Sequence, residues 1–165
     1  MDHISQERRS WLMSRVRSKN TSPEMRVRRA AHALGLRFRL HRKDLPGKPD
    51  LVFPKHRVAL FVHGCFWHRH PGCSKASTPK SRTPYWEAKF RANVDRDVRV
   101  SRELELLGWS ARTIWECETK VGLDLVALLR RMFDHGGDPA ISDGESPVEG
   151  GLGYKGRVRL RRRCR

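Results

Sequence analysis

The chain has 165 residues, with 35 Lys and Arg against 18 Asp and Glu, a formal net charge of +17. That length suffices for one domain with its own core. The charge excess favours a polyanionic partner, most simply nucleic acid, although ribosomal and membrane-surface proteins are basic too.

No apolar run reaches the roughly 18 residues that a membrane span needs. The N-terminal MDHISQERRSWLM lacks the apolar core of a signal peptide. The expectation is a soluble cytoplasmic protein. Of the four cysteines, three fall inside the expected folded region. They suit a metal site in a reducing compartment better than a disulfide framework.

Residues 1–20 are basic and polar, with Trp11, Leu12, Met13 and Val16 at loosely helical spacing. They form either a short helix or a basic N-terminal arm. Thr21 or Ser22 can cap the next segment, and Pro23 suits a first helical position. Met25, Val27, Ala30, Ala31 and Leu34 then give an apolar face, and Gly35 suits a helix end. A helix is predicted over 22–34. LPGKPDLVF reads as a turn followed by a strand. VALFV, residues 58–62, is a continuous β-rich run typical of a buried strand. Residues 50–53 and 58–62 are therefore expected to form a hairpin.

Residues 63–81 carry no periodicity and read as a loop. A long helix follows from Pro84, with Trp86, Phe90, Val94, Val98, Leu104 and Leu107 expected inward and Gly108 ending it. ARTIWEC, residues 111–117, reads as a strand, and residues 122–133 as a last, leucine-rich helix. From Asp134 to Tyr154 there are five acids and no Lys or Arg, and KGRVRLRRRCR adds seven basic residues. The expected organisation is an arm (1–20), a domain (21–133) and an acidic, then basic, flexible tail (134–165). Residues 1–133 keep 28 basic and 13 acidic side chains, so the domain is basic in its own right. The element order gives an α/β class with a small mixed β-sheet flanked by helices.

Two constellations carry chemistry. Cys65, His70, Cys73 and Cys117 are four soft or borderline ligands, the set that tetrahedral Zn2+ accepts. The first three share one loop, and the fourth lies 44 positions later at the expected end of a strand. A structural zinc would tie loop to sheet and leave no open coordination position. The bland alternative is buried thiols with an incidental histidine.

Asp50 starts one strand of the hairpin, and His63 follows the other, with His68 five residues on. A carboxylate there, beside a backbone carbonyl, makes a hard-oxygen site suited to Mg2+, and a neutral histidine can take a proton from water. Glu24 could add a second carboxylate, or simply stabilise the first turn of its helix. Phe66, Trp67 and Trp86 are either core or wedges that open a base step.

LPGKPDLVF, VALFVHGCFWHRHPGC, TPYWEAKFRANVDRD and LGWSARTIWEC together resemble the very short patch repair endonucleases, from about Met13 to Phe133. The resemblance implies a restriction-endonuclease-like core with a zinc-stabilised loop. It implies a nick on the 5′ side of the T in T:G mismatches that arise when 5-methylcytosine deaminates. It gives Asp50 and the Val62 carbonyl to Mg2+, His68 the role of general base, and His63 and Glu24 assisting roles. Cys65, His70, Cys73 and Cys117 match the family's zinc ligands, and Phe66, Trp67 and Trp86 its intercalating aromatics. The implied partners are double-stranded DNA, the mismatch-repair protein MutL and a downstream DNA polymerase, with the chain monomeric and at the bacterial nucleoid. Two departures stand out. Val62 replaces an expected threonine, which spares a backbone ligand but loses any hydroxyl contact. HRHPGC replaces a run of histidines, with the ligand positions kept.

Overall fold

A computed structural model describes residues 19–120 and 124–134, with Ser5, Glu7, Arg8, Trp11 and Arg15 before them. The expected arm therefore lies almost wholly outside the described residues. So does the expected tail beyond Asp134.

Helix α1 spans Ser22–Ala33. Thr21 caps it, its hydroxyl accepting from the Glu24 N–H while the Glu24 carboxylate accepts from the Thr21 N–H. Such a reciprocal cap satisfies two amides that the helix start leaves without carbonyl partners. Strand β1 is only Arg39–Leu40, too short and exposed to show in the sequence. Strands β2 (Leu51–Phe53) and β3 (Val58–His63) form the expected hairpin, antiparallel, with Val52 opposite Ala59. Helix α2 runs Thr83–Leu106, β4 Ser110–Trp115, and α3 Leu125–Asp134. The mixed sheet has the order β1-β2-β3-β4, with β4 parallel to β3.

Successive strand residues point to opposite faces, and the sheet uses both. Leu51, Phe53, Val58, Leu60 and Ile114 pack with Val27, Ala30 and Ala31 of α1 and Leu129 of α3. Val52 and Ala59, from the alternate positions, pack with Leu45, Trp109 and Val100 and Leu104 of α2. The result is three layers, with α1 and α3 on one face and α2 on the other.

The inward face of α2 differs from the expected one. Trp86, Phe90 and Leu104 are buried, but Val94, Val98 and Leu107 are 38%, 49% and 51% exposed. Val100 is buried instead. The face that meets the sheet runs Trp86, Phe90, Asn93, Asp97, Val100, Leu104, alternating steps of four and three. Its middle is polar, so counting apolar residues alone shifts the stripe by one position onto Val94 and Val98.

The approach to Asp50 depends on one glycine. Gly47 has φ +70°, and a Cβ there would lie 2.5 Å from Val100 Cγ1 and 3.3 Å from a Phe61 ring carbon. Gly35 shares the left-handed conformation, φ +69°, with nothing within 4 Å. Gly35→Ala is expected to lose about 1 kcal/mol, the backbone cost alone. Gly47→Ala is expected to lose roughly 2–4 kcal/mol, because the clash in the α2 layer adds to it. Chemical denaturation of both variants checks this, and equal losses would mean that the close packing is absent.

Candidate active site

The register of β3 on β4 positions the first cluster. His63 pairs with Trp115, the last residue of each strand. Cys65 and Cys117 each lie two residues beyond that pair and meet past the strand ends. Cys117 sits in a short 3-10 turn, Glu116–Thr119, rather than in the strand itself. The loop after His63 folds back through hydrogen bonds from His70 N to Cys65 O and Cys73 N to His70 O, 3.1 and 3.3 Å. This brings donor atoms of Cys65, His70, Cys73 and Cys117 within 4.8 Å of one another.

His70 Nδ1 is 3.3 Å from Cys117 Sγ and 3.7 Å from Cys65 Sγ, and its ring stacks on Trp115 at 4.3 Å. The three cysteines are buried and free of disulfides. Burial pushes the Cys65 thiol up, partly offset by hydrogen bonding with Cys117, and burial lowers the His70 pKa against the pull of Glu118. Neutral imidazole and thiols that ionise only around a cation are what a tetrahedral zinc site requires.

The second cluster joins β3, the loop and α2. His63 and His68 stack face to face, with centroids 3.8 Å apart and planes at 12°. His68 Nδ1 is 2.5 Å from Asp97 Oδ2, and His63 Nδ1 is 3.9 Å from the same oxygen. The Trp67 carbonyl accepts from Asn93 Nδ2 at 3.1 Å, fastening the loop to α2 between the two histidine contacts. Burial, aided by His68 and opposed by Asp97, lowers His63 to a pKa of about 4, so it is neutral at pH 7. Burial raises Asp97, but its hydrogen bond to His68 and the neighbouring His63 and His68 bring it below the usual carboxylate range.

The third cluster is Glu24, His41 and Asp50, with donor atoms again within 4.8 Å. Val62 N–H donates to Asp50 Oδ2 at 2.7 Å, across the mouth of the hairpin. Burial raises the Asp50 pKa; the Val62 bond opposes this, and Glu24 adds to it. A buried carboxylate beside a half-buried one calls for positive charge, of which Arg28 supplies part. The oxygen-rich donor set therefore fits a hard divalent cation.

A cleft of about 850 Å3 joins the second cluster to Asp50, lined among others by Asp50, Val62, His63, His68, Trp67 and Asp97. Lys43, Lys48 and Arg96 lie on its walls. Glu24 lies behind it, 2% exposed and paired with Arg28 and His41. Phe66, Trp67 and Trp86 come together in one cluster with Phe90, ring centroids 5.0–6.0 Å apart. Trp86 is only 6% exposed, whereas its neighbour Tyr85 is 57% exposed.

Sequence reasoning alone does not reach Asp97, Asn93, His41, Arg28 or Tyr85. The signal for Asp97 is a polar residue on the inward stripe of a helix, legible only once the stripe is drawn through Phe90 and Val100.

Two outcomes follow from this geometry. Protein purified reduced and without chelator is expected to carry one zinc per chain by elemental analysis, and chelation should lower its melting temperature. A metal-free chain of unchanged stability would rule out a structural zinc. The second concerns acid. The unfolded chain protonates His63 near pH 6.5, while the folded chain resists until about pH 4. The stability contributed is present above pH 6.5 and lost as pH falls through that window. Urea midpoints of zinc-loaded protein should therefore fall between pH 6.5 and 4, less steeply in His63→Gln. An unchanged slope would show that His63 is not the group.

Comparison with known proteins bears on the chain's family. Residues 1–75 match the family model described as DNA mismatch endonuclease Vsr. The type II nicking enzyme V.XorIIP of Xanthomonas oryzae pv. oryzae is 53% identical over 133 residues, covering 81% of this chain and 97% of its own length. The type II nicking enzyme V.NmeAIP of Neisseria meningitidis is 40% identical over 119 residues, covering 72% and 84%. The DNA mismatch endonuclease Vsr of Escherichia coli is 39% identical over 109 residues, covering 66% and 69%. No helix among the described residues is long and apolar enough to cross a membrane. The chain belongs to the Vsr endonuclease family and is a DNA-nicking hydrolase.

Proposed function

We propose that this endonuclease nicks one strand of duplex DNA on the 5′ side of the T in a T:G mismatch, with Mg2+ at Asp50. The observation that carries the reading is the shared cleft. A paired histidine and the half-buried Asp50 carboxylate meet there beside an aromatic cluster, so phosphate chemistry and base opening would take place side by side.

His68 is the general base. Its Nδ1 is engaged by Asp97, which leaves Nε2 for the proton of an attacking water and stabilises the imidazolium that forms. His63 stays neutral against it, its flat contact limiting how far the His68 ring can tilt. Asp50 and the Val62 carbonyl would hold the metal, with Glu24 as a second carboxylate behind them. When bound, Mg2+ polarises the phosphate and neutralises developing charge. Lys43, Lys48 and Arg96 draw the backbone towards a cleft whose own acids would repel it. Trp67 and Phe66, half-buried, form the wedge, and Trp86 packs beneath and supports it. Unstacking a base step costs a few kcal/mol, least at a mismatch, which favours mispaired over paired DNA. Cys65, His70, Cys73 and Cys117 would hold zinc and so keep wedge and base in register.

A second reading is supported by the relatives named as type II nicking enzymes: a nicking nuclease with looser mismatch choice. One assay separates the two. T:G and matched duplexes are incubated with the protein and Mg2+, with Asp50→Ala and Asp97→Asn in parallel. A nick beside the T of the mismatch alone, lost in Asp50→Ala, is the expected result. Asp97→Asn should slow the single-turnover rate by about 100-fold with duplex binding intact. Equal cutting of both duplexes would favour the broader nuclease, and no cutting of either would sink both.

A further inference from the structure

Behind Asp50, the strongest unexplained group of side chains centres on His41. It follows β1 in the left-handed region, φ 46°, a conformation that few non-glycine residues adopt. Its Nε2 lies 3.2 Å from Glu24 Oε1 and 3.1 Å from Arg28 Nη2. Arg28 Nη2 also donates to Glu24 Oε1, and its Nη1 donates to Asn20 Oδ1 at 2.8 Å. Arg28 Nε is buried with no hydrogen-bond partner. A guanidinium has donors and no lone pair. In the tautomer that carries its proton on Nδ1, the imidazole Nε2 presents its lone pair to this cation, which Glu24 already pairs. Asp50 completes the set, with one atom each from Glu24, His41 and Asp50 inside 4.8 Å.

We propose that His41 is a nitrogen ligand of the divalent cation at Asp50. The centre is then a mixed Glu24–His41–Asp50 site, in which the metal takes over from Arg28 Nη2 the bridging of Glu24 and His41. The proposal rests on the metal-dependent reading of the cleft and sharpens it. An all-oxygen site suits Mg2+, whereas an imidazole ligand raises affinity for transition metals. Mn2+, which accepts both donor types, should bind more tightly than Mg2+, and the margin should depend on His41.

Pulsed electron paramagnetic resonance of zinc-loaded protein with added Mn2+ reads the ligand directly. The wild type is expected to show the 14N coupling of a bonded imidazole. His41→Gln, or His41→Asn should Gln fail to fold, is expected to lose that coupling and weaken Mn2+ binding about 10- to 100-fold, with a smaller loss for Mg2+. His68→Ala is expected to keep the coupling. Absence of 14N coupling in the wild type, or its persistence in the His41 variant, would overturn the proposal while leaving a metal at Asp50. Mn2+ binding that ignores Asp50→Ala would overturn the metal-dependent reading itself, and this proposal with it.

Discussion

The parallel pairing of β3 with β4 is the contact on which the cleft depends. Six consecutive pairs, from Val58↔Ser110 to His63↔Trp115, align the two strand ends. Everything chemical leaves from those ends. The last pair delivers His63 to the α2 side; two residues further on, the chains bring two cysteines level. A slip of one residue would turn every β3 side chain to the opposite face. It would separate Cys65 from Cys117 and aim His63 at α1. The apolar alternation on both faces therefore protects the site as well as the core.

Electrostatically, the site inverts the rest of the molecule. A chain of net charge +17 sets Asp50 and Asp97 on one cleft, with Glu24 beside Asp50, each held by a different device. Arg28 neutralises Glu24, with His41 in contact with both, the Val62 amide binds Asp50, and the histidine pair binds Asp97. Acids partnered in this way can share a small volume without forcing one another apart. Basic side chains on the cleft walls offset them for an approaching polyanion.

Much of this arrangement is legible in the amino-acid sequence. The hairpin, the long helix and the cysteine–histidine set follow from runs and spacings that are local in the chain. Asp50 and His63 belong together because a hairpin must bring them together. What stays hidden depends on angles around a helix or on contacts distant in sequence. Asp97 and Asn93 look like solvated residues until α2 is docked. Arg28 looks like one more basic surface residue on a basic helix, and His41 like part of a turn. Val94 and Val98 mislead for the converse reason, since an apolar residue at a plausible spacing need not face inward. The strand expected through ARTIWEC stops short at Glu116, where the chain tightens into the turn that carries Cys117.

The β3–β4 pairing also has a kinetic side. Its partners are about fifty residues apart, and the whole of α2 lies between them. Closing so long a loop is slow compared with forming a hairpin or a helix. During synthesis β2, β3 and α2 leave the ribosome before β4 and its cysteine exist. Neither the fourth soft ligand nor the anchored loop is available until that point. A half-made chain thus carries the histidines and Asp50 of a nuclease without the frame that aligns them. The alignment of these side chains arrives late, with the last strand.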